Sequence, residues 1–130
     1  MSRNSHQPPS ATVLVTEDEP VVRAFARFVI EEAGHYAMEA ASVGEALELL
    51  RSDHTLHVLF TDINLRPLDQ GGVDLAIEAI KLRPNIRVIY TTGMSLTDEM
   101  RAMFVDGSVF IAKPYTPQRL LQIVGNLLSR

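Results

Sequence analysis

The chain has 130 residues, of which 46% are apolar and 22% charged, with a formal charge of −4, which is typical of one globular domain. It contains no cysteine, so disulfides and thiolate metal sites are excluded and a reducing cytoplasm is compatible. No apolar run approaches the roughly 18 residues of a membrane span, and without a Lys/Arg cluster neither nucleic acid nor membrane is an expected partner.

The pattern of apolar residues predicts alternating strands and helices after a short polar lead-in. Residues 1–11 are polar and proline-containing and are predicted to be disordered, so the domain spans residues 12–130. The first four predicted elements are a strand at Thr12–Thr16, a helix at Pro20–Ala33, a strand at Tyr36–Ala40 and a helix from Ser42 to about Leu50. The next four are a strand at His57–Thr61, a helix at Val73–Arg83, a strand at Ile86–Thr91 and a helix at Leu96–Val105. The last two are a strand at Val109–Ala112 and a helix capped by Thr116 that ends near Leu128.

Two local signals support the helix boundaries. The segment SVGE, from Ser42 to Glu45, is a capping box, and Pro20 suits a first helical turn. Strand and helix alternate five times, which predicts a parallel sheet with helices on both faces. Since such connections are right-handed, doubly wound orders are the candidates. The fold class is therefore α/β, and five strands favour the flavodoxin-like (βα)5 order 2-1-3-4-5.

Polar side chains follow four of the five predicted strands. Glu17 and Asp18 follow the first strand, Asp62 the third, Thr92 the fourth and Lys113 the fifth. Taken singly, each has a plain structural explanation as a helix cap, a turn residue, a strand residue or a solvated charge. Ligands of open parallel sheets bind beyond the carboxyl ends of the strands, so the set together indicates a site.

The residue types at these strand ends restrict the chemistry. Two carboxylates about 4 Å apart repel by roughly 4 kcal/mol at an effective dielectric of 20, so Asp18 and Asp62 need a proton or a cation between them. Oxygen ligands with open positions suit Mg²⁺, which keeps waters and takes phosphate oxygens. With Lys113 and Thr92 opposite, these are the parts of phosphoryl transfer onto a carboxylate nucleophile.

Four segments carry a resemblance to a known family. VLVTEDEPVVR, VLFTDINL, VIYTTG and FIAKPY resemble, in this order, the motifs of the receiver domain of bacterial two-component response regulators. The resemblance covers residues 11–129. It implies a cytoplasmic phosphoacceptor switch rather than an enzyme, with no small-molecule substrate beyond phosphodonors.

The resemblance also implies roles for individual residues. Asp62 would accept a phosphoryl group from a histidine kinase or a histidine phosphotransfer protein. Asp18, Asp62 and the backbone carbonyl of Asn64 would bind Mg²⁺, and Glu17 would assist.

Further implied roles concern how the signal is passed on. Lys113 and Thr92 would bind phosphoryl oxygens. Thr92 would move inward and Phe110 would follow, which would remodel the face of the fourth helix, fifth strand and fifth helix for a downstream protein. Pro114 is expected to follow a cis peptide bond.

Three features depart from the family pattern. The acidic pair is Glu-Asp instead of the commoner Asp-Asp, and Gly93 follows Thr92 where alanine is common. The segment from Asp62 to Gly72 is longer than usual and contains Arg66-Pro67. These changes bear on metal geometry and on the loop after the acceptor, but they remove neither the acids nor the lysine.

Several functions remain as alternatives. The leading expectation is a stand-alone module that acts by protein contact without an output domain, and a receiver portion of a hybrid histidine kinase has the same chemistry. A small Mg²⁺-dependent phosphatase with an aspartyl intermediate needs a general acid or base beside the nucleophile, and Asn64, two residues after Asp62, cannot serve. A pseudo-receiver that is never phosphorylated would not need the acids and Lys113.

Overall fold

The computed structural model describes residues 10–65 and 71–129. The strands are β1 (Thr12–Thr16), β2 (Tyr36–Ala40), β3 (Val58–Asp62), β4 (Arg87–Thr92) and β5 (Val109–Ala112). The helices are α1 (Pro20–Glu32), α2 (Val43–Leu50), α3 (Gly71–Leu82), α4 (Asp98–Ala102) and α5 (Pro117–Leu128). The strands form one parallel sheet in the order β2-β1-β3-β4-β5, which confirms the predicted fold. No helix in the described part of the chain is long and apolar enough to cross a membrane.

The core consists of two layers, one on each face of the sheet. Apolar residues of α1 and α5 pack on one face, and those of α2 and α3 pack on the other. Strand β3 lies between β1 and β4, and all five of its residues are buried. This explains its nearly continuous apolar sequence. Because both faces hold β3 in place, the residue at its carboxyl end has a fixed position.

The helix ends show the predicted caps, although Glu45 bonds the Ala41 N–H and not the Ser42 N–H that a reciprocal capping box would use. The Ser42 hydroxyl accepts the Glu45 N–H at 3.2 Å, and the Glu45 carboxylate accepts the Ala41 N–H at 2.8 Å. Thr116 caps α5 by accepting the Arg119 N–H at 3.1 Å. These bonds satisfy backbone donors that have no partner within the helix.

Helix α4 is shorter than the predicted Leu96–Val105. Thr97 is the N-cap and accepts the Met100 N–H at 3.1 Å, so the helix begins at Asp98. At the other end the Phe104 ring stacks on Tyr90 with centroids 4.0 Å apart. The Val105 N–H donates to the Tyr90 hydroxyl at 3.1 Å. The chain therefore leaves the helix to pack its aromatic residue against β4.

Smaller differences occur at other boundaries. Strands β3 and β4 each lie one residue later than predicted, so Asp62 and Thr92 belong to the strands, and α3 begins at Gly71 rather than Val73. Ala11, placed in the lead-in, is buried, and its carbonyl accepts the Tyr36 N–H at 2.8 Å. Ser10, also placed in the lead-in, donates its hydroxyl to the Gly34 carbonyl at 2.9 Å. Residues 1–9 and Arg66-Pro67 lie outside the described residues.

Candidate functional site

Three carboxylates meet at the carboxyl ends of β1 and β3. Glu17 and Asp18 follow β1 directly, Asp62 is the last residue of β3, and one oxygen from each lies within 4.8 Å of the others. The strands pair in parallel with Thr16 opposite Thr61, which brings the residues after them together. Glu17 is 3% and Asp62 6% exposed, whereas Asp18 is half-buried. The sheet thus concentrates negative charge at one point, as the sequence predicts.

Lys113 supplies positive charge to this cluster from the end of β5. Its Nζ lies 2.7 Å from Asp62 Oδ2 and 2.8 Å from Glu17 Oε1. Burial opposes the charge of this lysine, but the hydrogen bonds to Asp62 and Glu17 outweigh that effect and raise the pKa of Lys113 above its ordinary value. Lys113 therefore stays an ammonium near neutral pH and bridges two of the acids.

Glu17 has an unfavourable position for a carboxylate. Burial raises the pKa of Glu17, the hydrogen bond from Lys113 offsets that only in part, and the nearby charge of Asp62 raises it further. The nearby charge of Asp62 opposes a second negative charge on Glu17, so this pair retains an affinity for positive charge.

The donor set fits a hard divalent cation. All three candidate ligands offer carboxylate oxygens. Two of them border an open cleft of about 350 Å³, which is lined by Asp18, Glu19, Asp62, Asn64, Gly93, Met94 and Lys113. Oxygen ligands next to solvent suit Mg²⁺, which dehydrates reluctantly and keeps several waters. The cleft leaves room for those waters and for a phosphoryl group.

Asn64 connects the acceptor strand to Thr92. The Asn64 backbone N–H donates to Asp62 Oδ1 at 2.8 Å, which orients the carboxylate. The Asn64 side-chain carbonyl accepts the Thr92 hydroxyl, and the same hydroxyl oxygen accepts the Met94 N–H at 3.1 Å. Thr92 therefore borders the site, but in this structure its proton is given to Asn64 and not to Asp62.

The remaining predicted residues lie on and after β5. Phe110 is half-buried and packs against the core layer that contains Tyr90. The Arg101 guanidinium lies 5.9 Å from the centroid of its ring, within the range of a cation–π contact. The peptide bond between Lys113 and Pro114 is cis. Phe110 thus joins β5 to the short helix α4.

Two residues with a clear structural part in the site escaped the sequence reasoning. Arg23 Nη1 donates to the Glu17 backbone carbonyl at 2.8 Å, and its Nε bonds Glu39 of β2 at 3.1 Å, so α1 and β2 together fix the loop that carries the acids. A Cβ at Gly72 would lie 1.8 Å from the Asp62 backbone oxygen. Glycine before a helix is a weak signal of such close approach, and nothing local in the sequence marks Arg23.

Comparisons with known proteins give one family match and several similar sequences. The model of the response regulator receiver domain family matches residues 13–125. The chain is 33% identical over 113 residues to the sensory transduction protein LytR of Staphylococcus saprophyticus, covering 85% of this chain and 43% of LytR. It is 30% identical over 123 residues to the sensor kinase CckA of Brucella abortus, covering 93% of this chain and 13% of CckA.

The fold comparison is equally clear. A receiver domain protein from Methanospirillum hungatei superimposes with a TM-score of 0.83 at 25% sequence identity, covering 93% of this chain and 95% of that one. Nearly all of that structure is therefore matched, whereas the chain spans less than half the length of LytR.

Proposed function

This chain belongs to the response regulator receiver domain family, and on that premise we propose that Asp62 accepts a phosphoryl group from a phosphohistidine of a partner protein. The observation that carries the proposal is the environment of Asp62: it ends a buried strand, contacts Lys113 at 2.7 Å and lies within 4.8 Å of Glu17 and Asp18 at one oxygen each. A nucleophile has to be fixed in position and yet reachable from a cleft, and Asp62 meets both conditions.

In the proposed reaction an Asp62 carboxylate oxygen attacks the phosphorus of the donor. The new O–P bond forms while the P–N bond breaks, and its electron pair returns to the imidazole nitrogen. The Asn64 N–H holds one carboxylate oxygen at 2.8 Å, so the carboxylate cannot rotate freely. Lys113 remains an ammonium and can follow the negative charge from Asp62 Oδ2 to a phosphoryl oxygen.

Glu17, Asp18, Asp62 and the Asn64 backbone carbonyl would hold Mg²⁺ in this proposal. When bound, the cation neutralises charge that develops on the transferred phosphoryl oxygens. The position two residues after Asp62, where a phosphatase would need a general acid or base, holds the amide of Asn64. The chain is thus better suited to keep a phosphoryl group than to turn over a separate substrate.

The partner surfaces follow from the position of the cleft. An apolar groove of about 560 Å³ borders Lys113 and is lined by Val21, Val22, Phe25, Gly93, Lys113, Pro114 and Tyr115. A histidine kinase or phosphotransfer protein that brings its imidazole to Asp62 would cover this groove, in the cytoplasm. The signal would leave through α4, β5 and α5 to a downstream protein surface, on a separate chain or on a linked domain.

The test of the acceptor is intact-mass measurement after incubation with Mg²⁺ and a small phosphodonor such as acetyl phosphate. We expect one added phosphoryl group in the wild type and none in Asp62→Asn. The exposed Asp53 provides the matched control, since Asp53→Asn should be labelled like the wild type. The assignment would be contradicted if Asp62→Asn were labelled to the same extent as the wild type. Peptide mapping would then locate the phosphoryl group at another residue.

The metal part of the proposal has its own test. Asp18→Ala should preserve or raise the melting temperature of the metal-free protein, because it relieves carboxylate repulsion. It should also abolish the increase in melting temperature that Mg²⁺ causes in the wild type. A full Mg²⁺-induced increase in Asp18→Ala would show that Asp18 is not a ligand.

A further inference from the structure

The hydroxyl of Thr92 is fully engaged in the structure. Thr92 is 2% exposed, its proton is donated to the side-chain carbonyl of Asn64, and its oxygen accepts the Met94 N–H at 3.1 Å. A threonine hydroxyl has one proton. Thr92 therefore cannot donate to a phosphoryl oxygen without first giving up its bond to Asn64.

Asn64 is itself anchored to the acceptor. Its backbone N–H donates to Asp62 Oδ1 at 2.8 Å, so the amide side chain projects from a loop whose position is fixed by Asp62. The Asn64 side chain is half-buried and borders the cleft next to Gly93 and Met94. Asn64 is thus placed between the acceptor strand and the strand end that carries Thr92.

We propose that the Asn64 side chain is a positioning residue that holds Thr92 in its resting place and so sets how readily the molecule responds to phosphorylation. The inference rests on the proposed function, because it concerns the response to a phosphoryl group on Asp62. A ligand shifts an equilibrium only by contacts that differ between the two states. In the resting state the Thr92 hydroxyl donates to Asn64, and in the responding state it donates to a phosphoryl oxygen. Weakening the resting bond therefore favours the responding state.

The effect can be isolated with a double-mutant cycle. The four proteins are wild type, Asn64→Ala, Thr92→Val and the double variant, and the probe is beryllofluoride with Mg²⁺, a phosphoryl mimic that does not hydrolyse. The apparent Kd is read from the amide signal of Asp62, the residue that binds the probe in all four proteins. Since one neutral hydrogen bond contributes about 0.5–1.5 kcal/mol, Asn64→Ala should bind the probe about 2- to 13-fold more tightly than the wild type.

The same substitution should have no effect on the apparent Kd when Thr92→Val has removed the hydroxyl. A purely structural role of Asn64 would act equally in both backgrounds, and that result would overturn the proposal, as would weaker binding by Asn64→Ala. Asn64→Leu, which fills similar volume without an acceptor, must show the same direction and covers the case in which Asn64→Ala does not fold. Failure of the wild type to bind the probe at all would instead count against the proposed function.

Discussion

The site at the carboxyl ends of the strands has two halves, which differ in how firmly they are packed. In the acceptor half, formed by the ends of β1 and β3, Glu17 and Asp62 are buried, and Gly72 contacts the backbone of Asp62. In the response half, formed by the end of β4, helix α4 and β5, Met94 is 69% exposed and α4 has five residues with no buried side chain.

This contrast agrees with the two tasks of the proposed switch. A nucleophile and its metal ligands need fixed geometry, because small displacements slow the reaction. An element that responds to phosphorylation has to change position at low free-energy cost, and such elements come from the lightly packed parts of a structure. The bond between Asn64 and Thr92 joins the firmly packed acceptor half to the lightly packed response half.

The largest expected effect comes from filling the acceptor half. Alanine at Gly72 would place its Cβ 1.8 Å from the Asp62 oxygen and 2.9 Å from the Ile63 Cα. Both are backbone atoms, so the strand end has to shift. We expect Gly72→Ala to reduce the free energy of unfolding by about 3 kcal/mol or more and to prevent phosphoryl labelling of Asp62.

Gly125 in α5 offers a matched control, because no atom of the described residues lies within 4 Å of a Cβ there. Gly125→Ala should leave labelling unchanged and stabilise the protein by roughly 0.5–1 kcal/mol through helix propensity. Chemical denaturation measures both variants. Equal stability of the two would show that the acceptor half is not tightly packed.

Removal of the ammonium should have the next largest effect. Lys113→Met leaves Glu17 and Asp62 without the cation that lies 2.8 and 2.7 Å from them. We expect the metal-free variant to lose about 2 kcal/mol of stability at neutral pH, because buried charge is left uncompensated. Mg²⁺ should then stabilise the variant more than it stabilises the wild type, which thermal unfolding with and without Mg²⁺ can show. An equal or smaller Mg²⁺ effect would contradict the charge balance described for the cluster.

The sequence predicted the order of elements well because its strongest signals are local. Each strand is a short apolar run, and each lies within one residue of its predicted bounds. For α4 the sequence correctly indicated a helix in the segment Leu96–Val105, in which Leu96, Met100 and Phe104 pack on the core. Its length was wrong, since the stacking of Phe104 on Tyr90 ends the helix, and no local pattern shows a contact across 14 residues.

For the site as well, some features could be predicted from the sequence and others could not. The positions of Glu17, Asp18, Asp62 and Lys113 follow from topology, because the carboxyl ends of parallel strands meet at one edge. The bonds from Arg23 to Glu17 and from Thr92 to Asn64 depend on side-chain directions that strand order alone does not determine. Reasoning from sequence therefore located the charges but not the contacts that orient them.

A third prediction compares two threonine caps, one on a helix with buried residues and one on a helix without them. Thr116 caps α5, which has four buried residues, whereas Thr97 caps α4, which has none. Thr116→Ala should reduce global stability by about 1 kcal/mol. Thr97→Ala should change global stability by less than about 0.5 kcal/mol but speed amide exchange at Met100, whose N–H loses its acceptor.

Chemical denaturation and hydrogen exchange together test this pair. A global loss from Thr97→Ala as large as that from Thr116→Ala would show that α4 unfolds only with the whole domain. Helix α4 would then be packed as firmly as α5, which would contradict the light packing described for the response half.

The smallest expected effect lies at the amino ends of the strands, away from both halves of the site. His35 Nδ1 accepts the Ala11 N–H at 3.0 Å, and burial lowers the pKa of His35 below its ordinary value of 6.5. The unfolded chain therefore takes up the proton at higher pH than the folded one. The contribution of His35 to stability is fully present above pH 6.5 and is lost as the pH falls through the lowered folded pKa.

His35→Asn keeps an acceptor near the position of Nδ1 but removes the titrating group. We expect the variant to lose less stability than the wild type when the pH falls from about 7.5 to about 5, as measured by chemical denaturation at both values. Phosphoryl labelling of Asp62 should be the same in both proteins, because the acids and Lys113 lie at the other end of the strands. Equal losses of stability in the two proteins would assign the pH dependence to other groups. Altered labelling would show that the two ends of the strands are coupled.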